Sequence, residues 1–503
     1  MIKEMLIEEA PGCFRNPGGL KTDPSELFLG YDSIESTTRG TAVSGSVASG
    51  GAVAEAQYTV CTDIETLSTA LEISASVSAS FGFGSVDAKT SFMQKLNVTT
   101  TSVSVVVYAS RATRSQSSTV AFDETPPTDP DAFFSAFGDS WVSETCSGAE
   151  YIAVYTFYSQ SRDEQTTVSA ELNASGVSAS GSFDAKTQAS FESACSSIQT
   201  RQSLKQYMSG YSSLPFPGSD GIIAFAENFG TPPPDQPVII NFVTTGYEHV
   251  SGAPASFAPI IATRALFLGA GSKPGLANQY AQLQAVRDAV TQIEAVYDFY
   301  GYTGDTTISA NAAAVLADVD TLTDLFEEME SKPSAAYSAP PLPSLSLGTP
   351  ALSAVVNTTV LGGGNGGAPF ADIGPLAIGL SVGVTAVQLR GGDVVDALIT
   401  TYGAATMQHG EDGGDLGPQL VMGQNERITS ISGTSGDLVN QITFQTNLNN
   451  QMTWPPSPEG AAPMTSWSAT STTALLGFAG RSGDCLDQLG VVVATFSPAV
   501  WNT

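Results

Sequence analysis

A proline-rich stretch from Lys332 to Pro350, KPSAAYSAPPLPSLSLGTP, divides this chain into two textures that no single pattern of secondary structure can serve. Proline fixes φ and removes an amide donor, so a helix or an inner strand does not run through such a segment, and an extended spacer is expected. Upstream of it, apolar residues recur at helical spacing: Leu283, Val286, Val290 and Ile293 within 276–300, and Val315, Leu316, Val319, Leu322 and Leu325 within 308–330. These read as a helical pair closing a first domain. Downstream there is no lysine, and short β-rich runs are separated by glycine-containing turns. The expected organisation is a first domain over 1–331, a linker over 332–355 and a second domain over 356–503. A length of 503 residues also calls for more than one core.

Charge narrows the partners. Nineteen basic residues stand against 49 acidic ones, a net charge of −30. Such a surface repels nucleic acid and anionic headgroups, so no nucleic-acid partner is expected, and any approach to a membrane has to begin with something other than charge. No apolar run is long enough for a transmembrane helix. The N-terminal MIKEMLIEEAPG carries acids where a secretory leader has a clean apolar stretch. A secreted or released protein is therefore expected to leave by another route, or with its leader already removed.

Histidine and cysteine usage argues against an enzyme. The only histidines are His249 and His409, and the five cysteines (Cys13, Cys61, Cys146, Cys195, Cys485) show no CxxC spacing. Metal sites and nucleophile–base pairs mostly need a positioned imidazole or clustered thiolates. No catalytic residue, metal or cofactor is expected.

From residue 361 onward, strand candidates such as GLSVGVTAVQLR, DVVDALITTY, ITSISG, LVNQITFQT, ALLGFAG and GVVVATF follow one another between glycine turns, which predicts an all-β barrel or prism. The order and spacing of GGNGGAPF at 363–370, GGDVVDALITTYG at 391–403, HGEDGG at 409–414, NERITSISG at 425–433 and GFAGRSGDCLDQLGV at 477–491 resemble the jacalin-related lectins. That resemblance implies a β-prism of three four-stranded sheets with sugar sites at one end. It assigns carbohydrate binding to the loop Gly366–Gly367 and the turn Gly483, Asp484, Cys485, Leu486 and Asp487. Some mannose-binding members use a second site, which falls here on Gly392, Asp393, Val394, Val395 and Asp396, with Gly413–Gly414 as the partner loop. The chemistry fits without a metal: a carboxylate accepts from two sugar hydroxyls, backbone N–H groups donate, and glycine lets the backbone come close. Cys485 stands where many relatives carry a bulkier residue.

In the first domain, residues 73–83 alternate strictly, with Ile73, Ala75, Val77, Ala79, Phe81 and Phe83 separated by Ser or Gly. A strand with one greasy and one small polar face is expected, about as long as a strand crossing a bilayer. Val98–Tyr108 reads as its returning partner, and Val168–Ala174 alternates more weakly. A second copy of the VSAS…DAKT pattern of 77–90 occurs at 177–187, and the centres of both regions have helical character. The layout resembles the membrane-attack-complex/perforin superfamily, with Ala149 and Glu150 replacing two residues of its signature. That resemblance implies an α+β domain with a bent antiparallel sheet and two helical clusters that refold into membrane-inserting hairpins. Asn97, Asn173 and Asn357 begin glycosylation sequons, and the first two should stay bare if hairpins form there.

The expected function is a glycan-targeted pore-former. The lectin domain docks on cell-surface carbohydrate of the mannose type, and the N-terminal domain forms a homo-oligomer and inserts into the target membrane. The alternative is a non-lytic lectin with a structural or oligomerising N-terminal domain.

Overall fold

A computed structural model describes residues 26–62, 64–71, 102–126, 128–158, 162–173, 185–197, 202–219, 221–270, 273–372, 383–403, 405–456 and 461–502. The segment Ile73–Phe83, expected to insert into membrane, lies outside the described residues.

A seven-stranded sheet organises the N-terminal half. Its path runs β2 (Thr37–Thr41), β1 (Leu29–Asp32), β5 (Ser140–Tyr158), β4 (Ser102–Phe122), β3 (Val43–Cys61). Strands β6 (Gln202–Ser209) and β7 (Val238–Gly246) share the side of β5 away from β4: β6 pairs with Glu150–Phe157 and β7 with Ser140–Gly148.

The middle of this sheet is covered on both faces. Val103, Val105 and Val107 of β4 and Tyr151, Ala153, Tyr155 and Phe157 of β5 form one core with Val168 and Leu172 of α3 (Arg162–Asn173), Phe191 and Ala194 of α4 (Ala185–Ser197), and Ile222 and Ile223 of α5 (Ile222–Glu227). Val106, Tyr108, Ile152 and Val154 point the other way, against Leu67, Ala70 and Leu71 of α1 (Ile64–Leu71). Period-two alternation thus persists, but with both faces apolar.

Two expectations are corrected here. Ser102–Tyr108, read as part of a returning hairpin strand, is buried inside the central sheet. The alternation at Val168–Asn173 is helical, because Val168 and Leu172, four residues apart, both turn inward. The helical character expected around 182–198 is present as α4.

Local chemistry sets the helix ends. Helix α2 (Pro130–Phe137) starts with Asp129, whose carboxylate accepts from the amides of Asp131 and Ala132, and Pro130 occupies the first turn. Helix α6 (Ala258–Leu268) and a short ribbon of β8 (Gly269–Ala270) and β9 (Lys273–Pro274) lead into α7 (Leu276–Tyr300). Helix α7 stops in a Schellman turn, with Gly301 N–H donating to Asp298 O and Tyr302 N–H to Tyr297 O. Helix α8 (Ile308–Ser331) begins beyond Asp305, which accepts from the amides of Thr307 and Ile308.

The proline-rich segment is tied down rather than free. Pro333 O accepts from Thr263 Oγ1, Ser334 N–H and Oγ donate to Asp131, and Ser344 N–H donates to Asp318 of α8 at 2.8 Å. Its final residues already belong to a strand that begins at Thr349.

The C-terminal half is built from three sheets. The first runs β10 (Thr349–Gly363), β22 (Leu486–Asn502), β21 (Thr473–Ser482), β11 (Ala368–Ala371). The second runs β14 (Ala405–Gly410), β13 (Val395–Tyr402), β12 (Ala386–Gly391), β15 (Asp415–Val421). The third runs β18 (Gln451–Trp454), β17 (Val439–Thr446), β16 (Ile428–Ser435), β19 (Ala462–Pro463), with β20 (Trp467–Ser468) also on β16. Leu389 and Leu398, Ile431 and Phe444, and Phe478 and Val491 bring the three sheets to one core, the arrangement of a triangular prism.

Sheet one is apolar on both faces. Leu475, Phe478, Val491 and Val493 face the prism core, while Ala474, Leu476, Val492, Ala494 and Phe496 pack with Leu283, Val290, Ile293, Val315, Val319 and Leu322 of α7 and α8. The helical pair expected to close the first domain therefore also roofs the second.

Candidate functional site

Each prism sheet has a central hairpin, and the three hairpin turns share one construction. They are Gly392-Asp393-Val394-Val395-Asp396 between β12 and β13, Gly436-Asp437-Leu438-Val439-Asn440 between β16 and β17, and Gly483-Asp484-Cys485-Leu486-Asp487 between β21 and β22. In each, the glycine N–H donates to the carbonyl of the third residue, at 3.1, 2.9 and 3.0 Å respectively. A register shift accompanies every turn. The fourth residue, Val395, Val439 or Leu486, is fully buried, and the first two are exposed. Burying that one apolar side chain pins the turn to the core and leaves the fifth residue half-buried at the prism end.

Two of these turns meet a glycine pair. A side chain on Gly366 would collide with Asp487 Oδ1, and one on Gly367 with Asp487 Oδ2. Likewise a Cβ on Gly413 would lie 2.8 Å from Asp396 Oδ1, and one on Gly414 would collide with Oδ2. Gly367 and Gly414 share the same left-handed backbone, with φ of 58° and 56°. Any larger residue would both strain the loop and close the space beside the carboxylate. Arg481 fixes the first loop by donating from Nε to Gly366 O and from its terminal nitrogen to Gly367 O, both at 2.7 Å. Arg390 does the corresponding work at the second, donating to Asp412 O and Gly414 O at 3.3 Å.

The structure therefore brings together Gly366, Gly367, Gly483 and Asp487 in one group and Gly413, Gly414 and Asp396 in another, as the sequence pairing predicted. Asp484 and Asp393 are exposed at the turn tips, Val394 and Cys485 half-buried beside them. Leu486 and Val395, included among the predicted site residues, are core anchors of their turns instead. The sequence reading missed the third turn. Its signal was present as Gly436-Asp437-Leu438-Val439-Asn440, hidden because an amide replaces the final carboxylate.

The two groups also touch. Glu411 N–H donates to Asp484 O at 3.4 Å, and Gly364 N–H donates to Asp437 O at 3.1 Å and to Asp487 O at 2.8 Å. All three turns thus line one continuous end of the prism. A half-buried carboxylate beside bare glycine backbone can accept from paired hydroxyls while amides donate, which is the recognition chemistry of a sugar.

His409 serves another purpose. Its Nε2 lies 2.5 Å from Asp372 Oδ1, Tyr402 donates to Asp372 Oδ2 at 2.6 Å, and Phe370 stacks on the imidazole at 3.7 Å. This brace joins the first two sheets. Among the described residues, no three His, Cys, Asp or Glu side chains gather as metal ligands.

Residues 360–492 match the family model of the jacalin-like lectin domain. Griffithsin, from a Griffithsia species, is 28% identical over 129 residues, 26% of this chain and 90% of that protein. Among solved structures, a Malaysian banana lectin is 23% identical with a TM-score of 0.23, covering 30% of this chain and 100% of that one. A mannose-binding jacalin-related lectin from Ananas comosus is 24% identical with a TM-score of 0.24, covering 28% and 99%. The matched family is one of lectins, not of enzymes. With three sheets packed around one core, residues 360–492 of this chain form a jacalin-like lectin domain.

Proposed function

We propose that this protein binds cell-surface carbohydrate through the prism end that carries Asp487 and Asp396, with terminal hexoses of the mannose type as ligands. The observation that carries this reading is the duplicated arrangement of a half-buried carboxylate walled by two glycines. The net charge of −30 makes glycan recognition a suitable first contact with a cell, since it does not depend on charge attraction. The protein acts outside the cell that makes it, secreted or released. A glycan array with the full chain tests this: mannose-terminated glycans should be retained, and Asp487→Ala with Asp396→Ala should abolish retention. No retention on any glycan overturns the reading.

A second reading, in which docking is followed by pore formation, is favoured by the topology of the central sheet. The chain between β3 and β4 (62–101) and that between β5 and β6 (159–201) both leave from the same end of neighbouring strands. Cys61 pairs with Ser104, Ser102 with Tyr158, and Phe157 with Gln202. Two insertions at one end of a sheet are placed to extend it as two hairpins, and closure of several copies into a barrel would satisfy the backbone in lipid. No helix among the described residues is long and apolar enough to cross a membrane, which does not bear on strands. Dye release from liposomes carrying a mannose-rich glycolipid, blocked by free mannose, would support the pore. Binding without release would leave a lectin with a structural or oligomerising N-terminal domain.

A further inference from the structure

Cys485 belongs to the first carboxylate turn but points at the second. Its Sγ donates to Asp396 Oδ1 at 3.4 Å. The matching positions of the other two turns hold Val394 and Leu438, which have no donor. Asp396 Oδ1 is also the oxygen that faces Gly413, and Oδ2 the one that faces Gly414. The thiol therefore fixes the rotation of the carboxylate on whose two oxygens the second candidate pocket depends. A backbone bond from Glu411 N–H to Asp484 O runs beside it and holds the second glycine loop to the first turn.

We infer that Cys485, a residue of the first turn, is the positioning residue of Asp396 and so shapes the second candidate pocket. This rests on the proposed carbohydrate reading of both turns. Burial, followed by the hydrogen bond to Asp396, pushes the Cys485 thiol up to about 11, so at neutral pH it carries its proton and acts as donor. The side chain is partly accessible and forms no disulfide. Alkylation of its sulfur would remove the donor and place a substituent between the turns. An unmodified thiol is then a condition for full use of the second pocket.

The test uses the full chain and two readouts. The first needs no sugar: the rate of iodoacetamide labelling of Cys485 at fixed pH, followed by peptide mass spectrometry. Asp396→Asn removes a charged acceptor that holds the thiol protonated, so labelling should accelerate by about threefold to tenfold. The second readout is methyl mannoside titration by calorimetry in an Asp487→Ala background, where only the second pocket remains. There Cys485→Ala or prior alkylation should weaken binding by about fivefold or more, Cys485→Ser should restore it, and bound sugar should slow labelling. An unchanged labelling rate in Asp396→Asn overturns the inference, as does residual binding that ignores both Cys485→Ala and alkylation. Sugar binding by the native chain that vanishes entirely in Asp487→Ala also overturns it, by confining recognition to the first turn. Failure of the native chain to bind any glycan would instead remove the carbohydrate reading beneath it.

Discussion

Asp305 Oδ2 accepts the backbone N–H of Ala499 at 2.8 Å, while Oδ1 of the same carboxylate accepts from the amides that open helix α8. One side chain thus caps a helix of the N-terminal half and holds the last strand of the lectin domain. Tyr297 adds a second tie by donating to Ser497 O at 3.2 Å, and Phe496 lies between Tyr297, Tyr300 and Tyr302. The lectin domain is therefore mounted on the helical pair.

Asp305→Ala should destabilise the full chain by about 1–3 kcal/mol, the cost of a lost helix cap plus an anchoring bond. Denaturant unfolding followed separately by tyrosine fluorescence and far-ultraviolet circular dichroism checks it. Coincident transitions in the native chain that separate in the variant would show that this carboxylate couples the two halves. Unchanged stability would deny it that role.

Phe496→Ala should cost about 3–5 kcal/mol, because the residue fills the layer between sheet one and both helices and its removal leaves a cavity. The same measurement applies. A loss below about 1 kcal/mol would mean that the helices close over the gap.

Gly367→Val and Gly414→Val separate the two pockets. Each should reduce mannoside binding at its own carboxylate at least tenfold and also lower the melting temperature, since a β-branched residue at a left-handed glycine strains the loop and meets the backbone of Ser482 or Gly391. Circular dichroism at the assay temperature checks that each variant is folded. Calorimetric stoichiometry should drop in each single variant. With both changes no binding should remain, because the third turn ends in Asn440 instead of a carboxylate.

Stability should fall as pH rises from about 4 to about 6. Asp139 is 4% exposed, and burial raises its carboxyl to about 6 despite Arg264 and hydrogen bonds from Ser140 and Ser33, with Asp32 adding to the rise. Between its unfolded value and that pH, the native state holds a proton that the unfolded chain has released, so native stability is greater at the acid side of the window. Glu330, pushed up to about 7 by burial and the nearby Glu35, slopes the same way at slightly higher pH. Asp139→Asn should flatten the lower part of the profile, up to a limit of about 3 kcal/mol. A slope that persists unchanged in this variant would assign it to other groups.

The sequence by itself determined the elements whose signals are local. Turn glycines and the helical spacing of α7 and α8 are short-range patterns, and the structure realises them where they were expected, whereas the burial of Val395, Val439 and Leu486 at the fourth position of the three turns was not foreseen. Both glycine–carboxylate pairings were legible through resemblance, because motif order carries over when the loop lengths do. Only the tertiary structure decided what lies behind each apolar face. Ser102–Tyr108 reads from sequence as one strand of a membrane hairpin, and burial of both its faces puts it in the central sheet. Residues 474–479 and 491–496 read as plain strands, yet one face meets the prism core and the other the helical pair. The meeting of Cys485 with Asp396, 89 positions apart, was equally invisible, because periodicity specifies which face a residue takes and never its partner across the molecule.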